Sequence, residues 1–185
     1  MQASTTEKRR RFEVKVLPHL DAAYNLARWF ARSSSDADDI VQEAMLRAYR
    51  AFDGVHVNDA KPWLLAIVRN CSFTATSRGK RRIEVPLPGE AGDSAEPALR
   101  DQAPDPEVSS IQADQSRKLH RVIMTLPPDL REILVLREME DMSYRDIAEI
   151  TRVPIGTVMS RLARARASLK DKWIGEMEGV RHGMP

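Results

Sequence analysis

MSYRDIAEITRVPIGTVMSRLARARASLK, residues 142–170, reads as two helices joined by a tight turn. Ser143 and Asp146 stand at capping-box spacing, so each side chain can satisfy an orphan backbone N–H of the first turn. Tyr144, Ile147 and Ala148 then share one face, and Pro154 prevents the first helix from running on. Arg152 occupies the turn itself, where a positive φ would cost an Arg strain that a Gly avoids.

On a wheel of 3.6 residues per turn, Val158, Leu162, Ala165 and Leu169 form a narrow apolar stripe along the second helix. The opposite face carries Ser160, Ala163, Arg164 and Ala167, flanked by Thr157 and Arg161 on one side and Met159 and Arg166 on the other. Small residues let a backbone approach the major groove closely, and arginine supplies bidentate contacts to guanine or contacts to phosphate. Charge alone would fit a solvated surface helix equally well. The capped first helix, the Pro-containing turn and the small-residue face together favour a helix-turn-helix that binds DNA.

Bulk composition allows one medium domain or two small ones: 185 residues, 42% apolar, net charge +2. The distribution of charge says more than its sum. Six Lys or Arg lie between Ile150 and Lys172 against Asp171 alone, and residues 78–82 read RGKRR. Residues 83–115, by contrast, hold eight acidic residues against Arg100. Basic modules joined by an acidic connector are implied. The single Cys71 has no disulfide partner, gives a thiolate zinc site nothing to build on, and suits a small buried position. No apolar run is long enough to cross a bilayer and no signal-peptide core is present at the N-terminus, so a cytoplasmic protein without membrane insertion is expected.

Taken in order, residues 1–11 read as a disordered basic arm and residues 12–31 as a helix. SSSD at 33–36 interrupts, and Asp36 with Asp39 sits at capping spacing for a helix from Ala37 to Phe52. That helix should bury Ala37, Ile40, Val41, Ala44, Ala48 and Ala51 and expose Leu46, framed by Asp39, Gln42 and Glu43, as a protein-binding face. A loop, 53–60, precedes a helix that begins at Lys61-Pro62-Trp63 and reaches about Arg78, with Leu64, Ile67, Val68, Cys71 and Ala75 as its buried stripe. Arg69, Asn70, Phe73 and Ser77 lie off the stripe. On composition they are core aromatics and a solvated helix end more readily than a single-strand binding surface.

Residues 83–115 contain five Pro among positions 86–106 and few large apolar residues, so they read as a flexible linker. Helices at 116–124 and 129–138 then join the helix-turn-helix in a four-helix domain spanning 116–173, with a tail at 174–185. The fold class expected is therefore all-α: two small helical domains, 12–82 and 116–173, joined by an acidic Pro-rich linker. His19, His56, His120 and His182 are scattered without metal spacing, and no phosphate loop or nucleophile-base pairing is present. Neither a cofactor nor a catalytic residue is expected.

The order of DADDIVQEAMLRAYRAF (36–52), KPWLLAIVRN (61–70), LPPDLREILVLREMEDMSYRDIAEI (126–150) and VPIGTVMSRLARARASL (153–169) resembles an extracytoplasmic-function RNA polymerase sigma factor of the sigma-70 family. By that resemblance the first domain is sigma region 2 and the second is region 4. Asp39, Gln42, Glu43 and Leu46 would dock on the clamp coiled coil of the largest polymerase subunit, and region 4 on the flap of the second-largest. Lys61, Trp63, Arg69, Asn70 and Phe73 would capture the melted non-template strand of the −10 element. Thr157, Ser160, Arg161, Ala163, Arg164 and Arg166 would read the −35 element. The resemblance also implies a cognate anti-sigma factor, and a linker compatible with either a compact, inhibited arrangement or an extended one. A repressor acting without polymerase and a sigma-like interaction mimic are the alternative readings.

Overall fold

In the computed structural model, which describes residues 2–54, 59–82 and 106–181, eight α-helices carry the chain and the described residues include no strand. They run α1 Gln2–Lys15, α2 Leu20–Arg28, α3 Ser34–Ala51, α4 Ala60–Arg82, α5 Pro106–Met124, α6 Pro128–Glu138, α7 Tyr144–Thr151 and α8 Ile155–Arg181. Helices α2, α3 and α4 pack together as the first unit, and α5, α6 and α7 all pack against α8 in the second.

Several boundaries differ from the sequence reading. The expected disordered arm is helical from Gln2, and the helix is fastened near its end by the buried Phe12, with Val16 buried just beyond it. Phe12 meets Tyr49 and Phe52 edge-on at 5.2 and 5.4 Å, and Lys8 pairs with Asp53 at 2.7 Å. Pro18 divides the helix expected at 12–31: a short 3-10 turn, Leu17–His19, separates α1 from α2. The cap of α3 is Ser33, whose hydroxyl accepts from the Asp36 N–H, three residues before the expected cap. Helix α5 starts at Pro106, inside the stretch read as linker, and α8 continues to Arg181, inside the expected tail. The remaining linker, 83–105, lies outside the described residues.

Helix α4 is where the wheel was least informative. Leu64, Leu65, Val68, Cys71 and Ser72 are buried, Ile67 is half-buried and Ala75 is exposed. The cause is that α4 is covered on two sides, by α2 and α3 of its own unit and by α7 of the other. Its buried face is therefore wider than a single apolar stripe. The same holds for α6, where five successive residues from Glu132 to Leu136 are buried. One apolar core runs without interruption from Phe12 through Leu64 and Leu136 to Leu162. Each fully buried Leu, Ile or Phe in it contributes about 1.5–3 kcal/mol.

The helix-turn-helix forms as read. Ser143 accepts from the Asp146 N–H at 3.1 Å while Asp146 accepts from the Ser143 N–H at 3.2 Å, closing the capping box. Arg152 adopts the left-handed conformation, φ 56° and ψ 42°, and its N–H donates to the Ala148 carbonyl. Val158, Leu162 and Ala165 are buried and Leu169 is half-buried, seating α8 on α6 and α7.

Candidate nucleic-acid and polymerase interfaces

The small-residue face of α8 is open. Ser160, Ala163, Arg164 and Arg166 are exposed, and Thr157 and Arg161 are half-buried. Ser160 donates its hydroxyl to the Thr157 carbonyl at 3.1 Å, so the side chain lies flat and adds no bulk. The two flanking arginines are tied to α6: Arg166 reaches Glu138 at 2.6 Å and Arg161 reaches Asp129 at 3.5 Å. Arg164 is exposed on the small-residue face, its Nε 3.4 Å from the Ser160 carbonyl of its own helix, and among the described residues no acid pairs with it. Met159, on the flank of that face, is 53% exposed.

On α3, Asp39, Gln42, Glu43 and Leu46 are all exposed, and Leu46 at 53% is among the most exposed large apolar side chains of the first unit. Glu43 accepts from Arg47 one turn on, at 2.6 Å. Asp39 and Glu43 border a groove of about 410 Å³ between α3 and α4, with Cys71 on its wall. Burial pushes the Cys71 thiol up, which suits an inert packing role.

The residues read as a single-strand surface lie together on α4, but two of them are already engaged. Arg69 donates through Nε to the Glu132 carboxylate of α6. Lys61 donates to the Glu140 backbone carbonyl at 2.8 Å, and its ammonium lies 3.2 Å from that residue's carboxylate. Phe73 is exposed, with the Arg69 guanidinium 4.7 Å above its ring and Phe30 5.6 Å away. Asn70 is half-buried and its carbonyl accepts from Thr74; Trp63 is half-buried against Phe52. The loop at 55–58 lies outside the described residues.

Sequence reasoning missed the other half of these contacts. Glu132 is 2% exposed, and burial raises its pKa against the opposing pull of Arg69; burial likewise raises that of Glu140 against Lys61. Arg131 donates to the Trp29 carbonyl at 2.9 Å, and to those of Met124 and Leu126. The available signal was the lone acid opening an apolar run, EILVL at 132–136, which only a buried cation could balance.

Two family descriptions fit these two units: residues 16–82 match sigma-70 region 2 and residues 116–169 match sigma-70 region 4. The RNA polymerase sigma-H factor of Pseudomonas aeruginosa is 33% identical over 165 residues, covering 87% of this chain and 85% of that protein. The chain belongs to the sigma-70 family. The ECF RNA polymerase sigma-E factor of Haemophilus influenzae is 35% identical over 76% of each chain. This is an ECF sigma factor, an alternative transcription initiation factor that works with RNA polymerase and promoter DNA. Its all-helical fold resembles that of the sigma factor RpoE of Bartonella quintana, solved in complex with the anti-sigma factor NepR (TM-score 0.68, 24% identity, 89% of this chain and 97% of that one). It also resembles CnrH, solved with the cytosolic domain of CnrY (TM-score 0.64, 22% identity, 94% of each chain). In the sigma factor, no described helix is long and apolar enough to cross a membrane.

Proposed function

We propose that this sigma factor grips its promoters at two places, with α8 in the major groove of the −35 element and α4 on the melted non-template strand of the −10 element. The observation that carries the reading is the face of α8: among the described residues Arg164 is paired with no acid and stands among small exposed residues, while Val158, Leu162 and Ala165 anchor the opposite side. Arg161 and Arg166, held at the edges by Asp129 and Glu138, are placed for phosphates. On α4, Phe73 supplies a stacking ring, Arg69 and Lys61 supply cations and Asn70 an amide for a base edge, with Trp63 beside them.

The exposed Asp39, Gln42, Glu43 and Leu46 are the docking face for the polymerase clamp. The protein acts by binding and positioning rather than as an enzyme, and it does so in the cytoplasm. Likeness to two sigma factors solved with protein partners supports control by a cognate anti-sigma factor. Run-off transcription with core RNA polymerase on a promoter library, with transcript starts sequenced, tests the reading. Starts clustered behind a shared two-part element are expected; duplex binding without starts would refute it in favour of a repressor.

A further inference from the structure

We propose that α1, which precedes the residues matched to region 2, is a further DNA-binding element: its Arg11 and Lys15 hold phosphates of the melted −10 strand beside α4. The inference rests on the assignment of α4 to that strand.

Charge on α1 is lopsided, with Lys8, Arg9, Arg10, Arg11 and Lys15 against Glu7 and Glu13. Two of these cations are used within the protein: Lys8 pairs with Asp53 and Arg9 with Glu13, each at 2.7 Å. Arg11 and Lys15 are exposed, and among the described residues no acid pairs with either. They stand one turn apart on one edge of the helix. Like charges at that spacing weaken an isolated helix, and a polyanion laid along the edge relieves their repulsion.

Position gives a second, independent argument. The buried Phe12, edge-on to Tyr49 and Phe52, fixes the helix on the first unit, and Lys8 on Asp53 ties it to the turn that leads towards α4. The Arg11 guanidinium lies 5.6 Å from the centre of the Phe52 ring, and that ring lies 6.4 Å from Trp63 of α4. Arg11 is thus two ring contacts from the strand surface, with Lys15 about 6 Å further along α1. Cations lined up beside aromatic rings are what a single strand requires, since the rings take bases and the cations take phosphates. Arg10 supplies a contrast within the same run. It is exposed, but it stands two residues before Phe12 and so faces away from the rings.

The test uses the full-length protein bound to core RNA polymerase and a labelled promoter fragment from the library, mismatched across its −10 element so that it is already melted. Fluorescence anisotropy over a range of salt concentrations reads affinity and its salt slope. R11A/K15A is expected to lower the slope by about 1.4 and to weaken binding roughly 20-fold at about 0.1 M salt, as two lost single-strand phosphates would give. R11K/K15R, which keeps both charges, should keep the wild-type slope, and Arg10→Ala should bind as the wild type does. On a paired fragment that ends upstream of the −10 element, R11A/K15A should match the wild type. An unchanged slope for R11A/K15A on the melted fragment overturns the proposal. An equal loss with Arg10→Ala, or on the upstream fragment, reduces the effect to net charge and overturns it too, as does a lost slope in R11K/K15R. Failure of R11A/K15A to co-elute with core polymerase would assign this edge to an acidic protein surface instead. If R11A/K15A does not fold, Lys15→Ala alone, which leaves Arg11 on Phe52, carries the comparison with half the change in slope. Phe73→Ala separates this inference from the reading of α4. Melted-strand binding lost in R11A/K15A but kept in Phe73→Ala refutes the α4 assignment and leaves the α1 contact standing; the reverse refutes the α1 contact alone.

Discussion

The imidazole of His120 in α5 stacks on the indole of Trp29, at the end of α2, with ring centroids 4.5 Å apart and planes inclined by 29°. Desolvation, then the nearby positive charges of Arg28 and Arg131, lower the His120 pKa below its ordinary 6.5. The folded chain therefore favours the neutral ring. The stabilisation this gives is complete above pH 6.5 and is lost as pH falls through the depressed value, because the unfolded chain takes up a proton that the folded one resists. Glu132 and Glu140, raised by burial, act with the opposite sign, losing their contribution as pH rises above the ordinary carboxylate range. Urea unfolding of wild type and His120→Phe at pH 7 and pH 5.5 separates the two. The wild type should lose more stability on acidification than the variant, and equal losses would remove His120 from the account.

Arg152 should be replaceable with profit. Its φ of 56° costs an L residue roughly 1–2 kcal/mol, while a Gly there gives back about 0.5–1 kcal/mol through the greater freedom of the unfolded chain. Arg152→Gly is expected to raise stability by about 0.5 kcal/mol, seen as a higher urea midpoint at unchanged slope. A lowered midpoint would mean that the Arg side chain makes a compensating contact.

Arg164→Ala should weaken use of promoters that depend on the −35 element by about 1–3 kcal/mol of recognition energy and relax preference at one base pair. Arg166→Ala, whose side chain is shared with Glu138, should weaken binding evenly across sequences and reduce the salt slope by about one. The same library transcription, run at two salt concentrations, separates base reading from phosphate contact. An Arg164 variant with wild-type promoter choice would reassign that residue.

Leu46→Glu is expected to abolish co-elution with core polymerase while changing stability by no more than about 0.5 kcal/mol, since the side chain is 53% exposed and packs on little. Retained co-elution would place the polymerase contact elsewhere on the chain.

The helix-turn-helix was legible because everything that builds it is local. Ser143, Asp146, Pro154 and the Val158–Leu162–Ala165 stripe lie within a few turns of one another, and each acts on the backbone or face of its own helix. The exposed Leu46 was legible for the same reason, as the apolar residue off the buried face of an amphipathic helix. The start of α1 was not, because the contacts that fasten it, Phe12 on Tyr49 and Phe52 and Lys8 on Asp53, reach residues more than thirty positions on.

What the residues determined unaided was therefore the helices of each unit, the family order of segments, and which faces carry small residues and arginines. What only the tertiary structure decided was whose partner each charge is. Arg69 and Glu132 are 63 positions apart, Lys61 and Glu140 are 79 apart, and Arg131 and the Trp29 carbonyl are 102 apart. A wheel drawn for one helix shows which side is apolar but holds no information about a second body covering its polar side. Pairing across that distance follows from burial: once α7 lies against α4, a lone carboxylate in the core must find a cation, and Arg69 and Lys61 are the ones within reach.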